Sequence, residues 1–444
     1  MKSIVTLAAL ALCGFGAFVS ANAASATIRV VPEQSILKAG SEQRTVLKIT
    51  VAADELPPAA ERAPVNLALV IDTSGSMNGD RIENARLAAL ELISRLDRND
   101  IFSLVTYDSE ARTLVPAGPV EDRAALERIV RGLRARGMTA LYGGVETAAE
   151  QLRRYQTSQY THRMILISDG VANVGPSRPE QLAELGGKIG LRGVRISTIG
   201  LGLNYNEDLM TSLADGSGGN AYFAEGGPDL PRIIDREIGQ ALALAYESVT
   251  IEIQLPAGMR PVRPISRNVT LNHQNVNATL PPLYSGQTRD ILIEVEVSAD
   301  SAKNTLEIPE AHARMQRPGS KDFAEMRSKP VTIRFSENAS DVDASVNLDV
   351  QAIRLRDEAA LAREKALTMQ SAGDRVGAAA TLADTARRIQ AAPAARENPA
   401  LAADAFALEE QSKVMGTREL NRRERIDMRS QSFEQLNRQV VINE

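Results

Sequence analysis

Short apolar runs alternate with segments of helical periodicity between about residues 65 and 244, and this alternation restricts the folds that the chain can adopt. The apolar runs cover residues 67–71, 101–105, 164–167, 194–199 and 221–224. Strands that are apolar almost throughout, separated by amphipathic helices, indicate an α/β fold with a doubly wound, mostly parallel, Rossmann-like sheet. The first predicted helix, residues 81–96, shows the expected apolar face, formed by Ile82, Ala85, Ala89, Leu92, Ile93 and Leu96.

The segments on either side of this unit have a different pattern. Predicted strands at residues 27–31 and 45–51 precede it, and predicted strands at residues 249–254, 290–297, 305–308 and 331–335 follow it. Several of them alternate apolar with polar residues, as half-buried antiparallel strands do. We therefore predict one antiparallel β-sandwich assembled from residues 24–63 and 246–345, with the α/β domain, residues 64–245, inserted between them.

The last part of the chain, residues 346–444, is rich in Ala, Arg and Glu and is predicted to be helical. Helices are expected at residues 352–371 and 378–390, joined around Gly373-Asp374, and at residues 400–414 and 418–436 after Pro399. Two interpretations remain open for this region. It is either a small helical bundle with a structural role or an arm that binds a partner, for which the Arg-rich last helix is the one indication.

The beginning of the chain has the pattern of a cleavable secretory signal. Met1-Lys2 precedes an apolar stretch at residues 4–19, and Ala21-Asn22-Ala23 follows it. Cleavage near Ala23 would make the mature protein periplasmic or secreted. The competing reading is an uncleaved anchor, although the apolar core is short for a membrane span and Gly14 and Gly16 interrupt it. Cleavage would also remove Cys13, the single cysteine, and so exclude disulfides, thiolate metal sites and a Cys nucleophile.

The sequence supports neither nucleic-acid binding nor a membrane-spanning segment in the mature chain. The net charge of -5 gives no indication of nucleic-acid binding. Beyond the signal, no apolar run is long enough to cross a bilayer, so no transmembrane segment is expected in the mature chain.

A cluster of oxygen-bearing side chains follows the first predicted strand. Residues 72–76 read DTSGS, so that Asp72, Ser74 and Ser76 stand at alternate positions of one tight loop. Thr139 lies in a loop before a helix, and Asp169 ends another apolar run. Loops at the carboxyl ends of parallel strands meet at one edge of the sheet, so these five side chains are predicted to converge. Two carboxylates and three hydroxyls would suit a divalent ion, Mg²⁺ before Mn²⁺ or Ca²⁺.

These positions resemble the metal-ion-dependent adhesion site (MIDAS) of the von Willebrand factor type A (VWA) domain, which uses Asp-x-Ser-x-Ser, a Thr and an Asp in this order. The resemblance spans roughly residues 64–244 and includes residues 71–77, 139–141, 167–170 and 199–202. It implies that Asp72, Ser74, Ser76, Thr139 and Asp169 hold the ion directly or through water. The wider plan is similar to bacterial secreted VWA proteins and to the heavy chains of inter-alpha-trypsin inhibitor.

The predicted site leads to three readings of function. Hydroxyl ligands leave the ion electron-poor, so an open coordination position would favour an acidic side chain of a protein partner; the resembling family docks ligands in this way, sometimes with a shift of its last helix, here residues 230–244. The second reading is an envelope scaffold in which the metal only stabilises. The third is a metal-dependent hydrolase, which has less support because no His or Glu is placed by motif beside the ion. We expect a binding protein and no enzyme.

Ordinary structural roles compete with these assignments. Asp72 and its Ser neighbours also suit a helix cap or a turn. The glycines at residues 200, 202, 216, 218 and 219 lack the spacing of phosphate-binding loops and are predicted to form turns. His162, His273 and His312 are scattered and are predicted to be packed or surface side chains. Tyr205 is expected to pack at a domain edge, in a loop that could approach the metal face.

Overall fold

The computed structural model shows three units: a β-sandwich, an α/β domain inserted into it, and a helical C-terminal region. The structure describes residues 25–55, 64–169, 172–203, 205–298, 304–318 and 323–437. The predicted signal peptide, residues 1–23, lies outside this part of the chain. The fold class predicted from the sequence is confirmed.

The α/β domain is built on one six-stranded sheet. The sheet order is β6-β5-β4-β7-β8-β9, parallel except for β6, an antiparallel edge strand that the sequence analysis missed. The other five strands correspond to the five predicted apolar runs. In chain order the elements up to the end of this domain are β1 (Ala26–Pro32), β2 (Ile36–Lys38), β3 (Gln43–Ala53), β4 (Val65–Asp72), a 3-10 turn (Gly75–Met77), α1 (Asp80–Arg95), β5 (Ile101–Tyr107), β6 (Ala111–Pro119), α2 (Arg123–Arg131), α3 (Leu141–Arg153), β7 (Thr161–Ser168), α4 (Pro179–Gly190), β8 (Arg195–Leu201), α5 (Glu207–Ser217), β9 (Ala221–Ala224) and α6 (Asp229–Leu242).

Strand β4 lies between two apolar layers. Leu67, Leu69 and Ile71 pack with buried residues of α1 and α6 on one face. Ala68 and Val70 pack with buried residues of α3, α4 and α5 on the other. Because side chains alternate between the faces of a strand, burial on both faces requires the continuous apolar run seen in the sequence. All eight residues of β4 are buried.

The β-sandwich combines strands from both flanks of the α/β domain, as predicted. One sheet has the order β1-β3-β16-β12, the other β13-β14-β11-β18-β19, and their inner faces share one apolar core. Strand β3 pairs with β16 from Gln43 opposite Val297 to Ala52 opposite Thr288. The strands after the α/β domain are β10 (Leu244–Tyr246), β11 (Ser248–Gln254), β12 (Met259–Pro264), β13 (Val269–Asn272), β14 (Asn275–Leu280), β15 (Leu283–Tyr284), β16 (Thr288–Val297), β17 (Thr305–Ile308), β18 (His312–Gln316), β19 (Phe323–Arg327) and β20 (Val331–Ser336).

The C-terminal region is a helical bundle whose last helix also contacts the α/β domain. The helices are α7 (Ala339–Ala344), α8 (Leu348–Ser371), α9 (Arg375–Ala391), α10 (Ala394–Glu397), α11 (Pro399–Thr417) and α12 (Arg422–Asn437). Met428 of α12 belongs to the core of the bundle, whereas Ile426 belongs to an apolar core of the α/β domain. Arg425 pairs with Glu207 at 2.6 Å and with Asp208 at 2.9 Å, at the start of α5. Of the helices in the described ranges, none is both long enough and apolar enough to span a membrane.

Helices α4 and α5 approach each other through glycines. A Cβ atom on Gly186 would lie 2.4 Å from the carbonyl oxygen of Leu213, and one on Gly216 would lie 2.3 Å from that of Ala183. The obstacle in each case is the backbone of the facing helix, which cannot rotate away. Gly186 and Gly216 therefore serve helix packing. Gly216 was predicted to form a turn but lies within α5, whereas Gly218 ends that helix in a left-handed conformation, φ 70°.

The substitution Gly186→Ala should destabilise the α/β domain by about 1–3 kcal/mol, because the added methyl group must push α4 away from α5. Gly187→Ala is the matched control: it lies on the same helix, and its added Cβ would be 3.8 Å from the nearest backbone atom. The control should be unchanged or up to about 1 kcal/mol more stable, through helix propensity. Urea unfolding followed by circular dichroism measures both, and equal stabilities of the two variants would contradict this packing account.

Candidate metal centre

Three loops meet at the carboxyl edge of the α/β sheet. Strands β4 and β7 are parallel neighbours with Ile71 opposite Ile167, so Asp72 and Asp169 leave the sheet at the same end, one residue apart in register. The amide of Gly75 donates to the carbonyl of Gly137 at 3.0 Å, which joins the first loop to the loop of Thr139. The convergence expected from the parallel topology is therefore present at the level of the backbone.

The loop of Thr139 is joined in turn to the loop that follows β7. The amide of Thr139 donates to the Oδ1 of Asn173 at 2.8 Å, and the amide of Asn173 donates to the carbonyl of Thr139 at 3.1 Å. Thr139 is buried. Within the described residues its hydroxyl makes no hydrogen bond to the other four predicted ligands, so Thr139 joins them through its loop alone.

Ser74, Ser76 and Asp169 form a chain of side-chain hydrogen bonds. The Oγ atoms of Ser74 and Ser76 are 3.1 Å apart, and the Oγ of Ser76 donates to the Oδ1 of Asp169 at 2.8 Å. Ser74 and Asp169 are buried, whereas Ser76 is exposed. The chain therefore runs from the interior of the domain to its surface, and Ser76 marks the side from which an ion or a ligand could enter.

Asp72 is completely buried beside this chain. Its Oδ1 accepts a hydrogen bond from the amide of Ser74 at 2.8 Å, and its Oδ2 accepts one from the Oγ of Ser168 at 2.7 Å. The first contact is an Asx turn, so the simple turn role considered for Asp72 is present. Burial, with a further contribution from the charge of Asp169, raises the pKa of the Asp72 carboxyl. A neighbouring cation would offset both effects.

Arg81 was missed by the sequence analysis and contacts one of the two carboxylates, Asp169. Its Nη1 donates to the Oδ2 of Asp169 at 2.5 Å and to the backbone carbonyl of Ser76 at 2.8 Å. Its side chain is 30% exposed. A basic residue in the first turn of α1 is unfavourable for the helix dipole, and this anomaly is the one feature of the sequence that could have drawn attention to it.

The donor set fits a hard divalent cation. Two carboxylates, Asp72 and Asp169, and one guanidinium, Arg81, leave one uncompensated negative charge. The hydroxyls of Ser74 and Ser76 bond one another and Asp169, and hydroxyl oxygens are ligands that Mg²⁺ and Ca²⁺ accept. Binding of Mg²⁺, Mn²⁺ or Ca²⁺ by these residues stays a prediction.

The remaining candidate residues have structural roles in the described chain. His162 has its Nδ1 3.2 Å from the Nδ2 of Asn66 and its Nε2 3.1 Å from the carbonyl of Thr157. The ring of Tyr205 is buried and stacks on Phe223, with 5.7 Å between ring centroids, as expected for a packed residue.

Comparisons with known proteins identify the α/β domain. Residues 66–236 match the model of the von Willebrand factor type A domain family. The uncharacterized protein YfbK of Escherichia coli (strain K12) is 29% identical over 270 residues, which are 59% of this chain and 47% of that protein. The inter-alpha-trypsin inhibitor heavy chain H3 of Rattus norvegicus is 31% identical over 161 residues, which are 34% of this chain and 18% of that protein. The chain thus spans about half the length of the first relative and under a fifth of the second.

A solved structure shares the fold over nearly the whole chain. The von Willebrand factor type A protein from Catenulispora acidiphila superposes with a TM-score of 0.70 at 18% sequence identity, covering 93% of this chain and 97% of that one. The similarity therefore includes the sandwich and the helical region as well as the inserted domain. The chain therefore shares this fold, and within it the α/β domain, residues 66–236, matches the family model of the von Willebrand factor type A domain.

Proposed function

We propose that this protein is a metal-dependent binding module of the cell envelope, in which Asp72, Ser74, Ser76, Thr139 and Asp169 hold Mg²⁺, or Mn²⁺ or Ca²⁺, for capture of a protein partner. The observation that carries the proposal is the hydrogen-bonded chain of Ser74, Ser76 and Asp169 beside the buried carboxylate of Asp72. The VWA domain is commonly a protein-interaction module. The proposal includes the predicted export of the chain, so that capture would take place in the periplasm or outside the cell.

The residues of the site would have different roles in holding a cation. The carboxylate of Asp72 is oriented by protein groups, since it accepts hydrogen bonds from Ser74, Ser168 and Tyr107. The hydroxyls of Ser74 and Ser76 carry no charge. Only the carboxylates of Asp72 and Asp169 would therefore neutralise the positive charge of a divalent ion. When bound, the cation would supply a positive centre that accepts a carboxylate oxygen of the partner. Ser76 is exposed and leaves this direction of approach open.

Arg81 would compete with the cation for the carboxylate of Asp169. It donates to the same carboxylate, Asp169, that the cation needs, and it reaches that carboxylate from the exposed side of the loop. Metal binding would weaken this ion pair through repulsion between the two cations. Arg81 therefore keeps the metal-free site partly neutral and lowers its affinity for metal.

The wild-type protein should bind one equivalent of Mg²⁺ or Mn²⁺, and Asp72→Asn should weaken this binding at least tenfold while the fold is retained. The substitution removes the buried negative charge and keeps the shape of the side chain. Isothermal titration calorimetry measures the affinity, with circular dichroism as the test of folding. Glu252→Gln, an exposed carboxylate on β11, is the control and should bind metal as the wild type does. Equal affinity of wild type and Asp72→Asn would reject the site.

Replacing Arg81 with Met should make Mg²⁺ binding tighter, by roughly threefold to tenfold. This change in affinity corresponds to the loss of the Arg81–Asp169 ion pair, which the metal would otherwise have to weaken. An ion pair with a partly exposed member contributes up to about 1 kcal/mol. Arg98→Met, an exposed arginine outside the metal loops, should leave the affinity unchanged. The same calorimetric titration measures both variants, and weaker binding by Arg81→Met would show that Arg81 supports the site instead of competing for it.

Partner capture should depend on the metal and on Asp72. A pull-down from envelope extract would use immobilised wild type, Asp72→Asn and Glu252→Gln, each with Mg²⁺ and with EDTA. A partner retained by wild type and Glu252→Gln in Mg²⁺, and lost both with EDTA and with Asp72→Asn, is the expected result. A partner that Asp72→Asn still holds in EDTA would favour the scaffold reading. Chelator-sensitive turnover of an ester or phosphate panel would favour a hydrolase.

A further inference from the structure

A large cleft opens at the amino ends of the sheet strands, on the opposite side of the α/β domain from the metal loops. Its volume is about 970 Å³, and it lies between the amino ends of β7 and β8 and strands of the β-sandwich. Arg163 and Arg195 line it from the sheet, Ser217 from the end of α5, and Pro281 and Gln316 from the sandwich. The size is within the range of small-molecule binding sites.

Two arginines stand side by side in this cleft. Arg163 of β7 and Arg195 of β8 are direct partners in the parallel register, so their side chains leave the same face of the sheet. Arg163 is 4% exposed, and Arg195 is half-buried. Placing two guanidinium groups next to each other away from water is unfavourable unless negative charge compensates them.

The protein supplies this pair with neutral partners. Arg163 donates from Nη2 to the hydroxyl of Tyr284 at 2.7 Å, and Arg195 donates from Nη1 to the carbonyl of Ser217 at 2.5 Å. The Nε of Arg163 is buried without an acceptor. Neither arginine forms an ion pair with a carboxylate in the part of the chain that the structure describes. The pair thus has more donors and more positive charge than its surroundings satisfy.

Two carboxylates act on this pair at longer range. Glu247, which also lines the cleft, contributes to the field at Arg195. The carboxylate of Glu237 contributes to the field at Arg163, but it accepts hydrogen bonds from Ser197, Asn220 and Tyr222. Burial, followed by the positive charge of Arg163, lowers the pKa of Arg195 to about 10. Both arginines are therefore charged at neutral pH, and the cleft carries a concentrated positive charge.

We propose that this cleft binds an oxyanion, the phosphate or carboxylate group of a small ligand, between Arg163 and Arg195. Guanidinium groups match these oxyanions because their N–H donors lie in a plane and pair with two oxygens at once. The volume of the cleft leaves room for the body of a ligand beyond the charged group. The site is separate from the metal centre, since it lies at the amino ends of the strands and the metal loops lie at their carboxyl ends.

The test is a calorimetric titration of the full chain with two probes, inorganic phosphate and succinate, at constant ionic strength. At least one probe should bind, and its identity tells whether the site prefers phosphate or carboxylate. Binding should be at least tenfold weaker in Arg195→Gln and in Arg163→Gln, unchanged in Arg98→Gln, and unchanged by EDTA. The proposal is overturned if neither probe binds the wild type, or if Arg195→Gln and Arg98→Gln bind the probe equally.

Thermal unfolding without added anion separates a ligand site from a structural pair. Arg195→Gln should unfold at the same temperature as the wild type or higher, because the substitution removes repulsion between two cations. Phosphate or succinate should then raise the midpoint of the wild type and not that of Arg195→Gln. A large drop in the midpoint of Arg195→Gln, with no effect of either probe on the wild type, would show that the arginines only stabilise the fold.

Discussion

The complete burial of β4 is the constraint on which the rest of this domain depends. The strand is paired on both edges, by β5 and β7, and covered on both faces by helices, so its backbone is satisfied and its side chains from Leu67 to Ile71 are apolar. The chain must turn polar where the sheet ends, and it does so at Asp72. Because Asp72 is still out of water, its carboxylate depends on Ser74, Ser168 and Tyr107 for hydrogen bonds. The candidate site is thus a direct consequence of where this strand ends.

The parts of the structure that could be predicted are those that follow from local pattern and parallel topology. The continuous apolar runs predicted the four inner strands β5, β4, β7 and β8 because burial on both faces favours apolar residues throughout. The fifth, β9, lies at the edge and is only half-buried, but its short run is still mostly apolar. The meeting of Asp72 and Asp169 followed from β4 and β7 being parallel neighbours. Strand β6 was missed because it lies at the edge of the sheet, where most of its residues are partly exposed and Pro116 and Gly118 interrupt the pattern. Arg81 was missed because one basic residue in the first turn of a helix is a weak signal, and nothing in the local sequence places it beside Asp169.

The contacts of the last helix show what no local pattern can predict. Arg422 donates to the backbone carbonyls of Leu203 and Tyr205, and Arg425 and Arg429 pair with Asp208. These partners are more than 200 residues away, and the same arginines would suit a solvated helix or an arm that binds another protein. In the structure α12 belongs to the helical bundle and also holds the segment after β8. The α/β sheet has two chemically distinct ends: an acidic one where β4 and β7 end and a cationic one where β7 and β8 begin.

The most direct test of the central claim, that a divalent cation is held where β4 and β7 end, is the anomalous diffraction of crystals grown with Mn²⁺. The account predicts one strong manganese peak in the wild type with Ser74 and Ser76 among its ligands, beside Asp72, Thr139 and Asp169, and with Arg81 moved away from Asp169. The peak should be absent from crystals of Asp72→Asn. A wild-type crystal saturated with Mn²⁺ that shows no peak at these residues, or the same peak in Asp72→Asn, would contradict it.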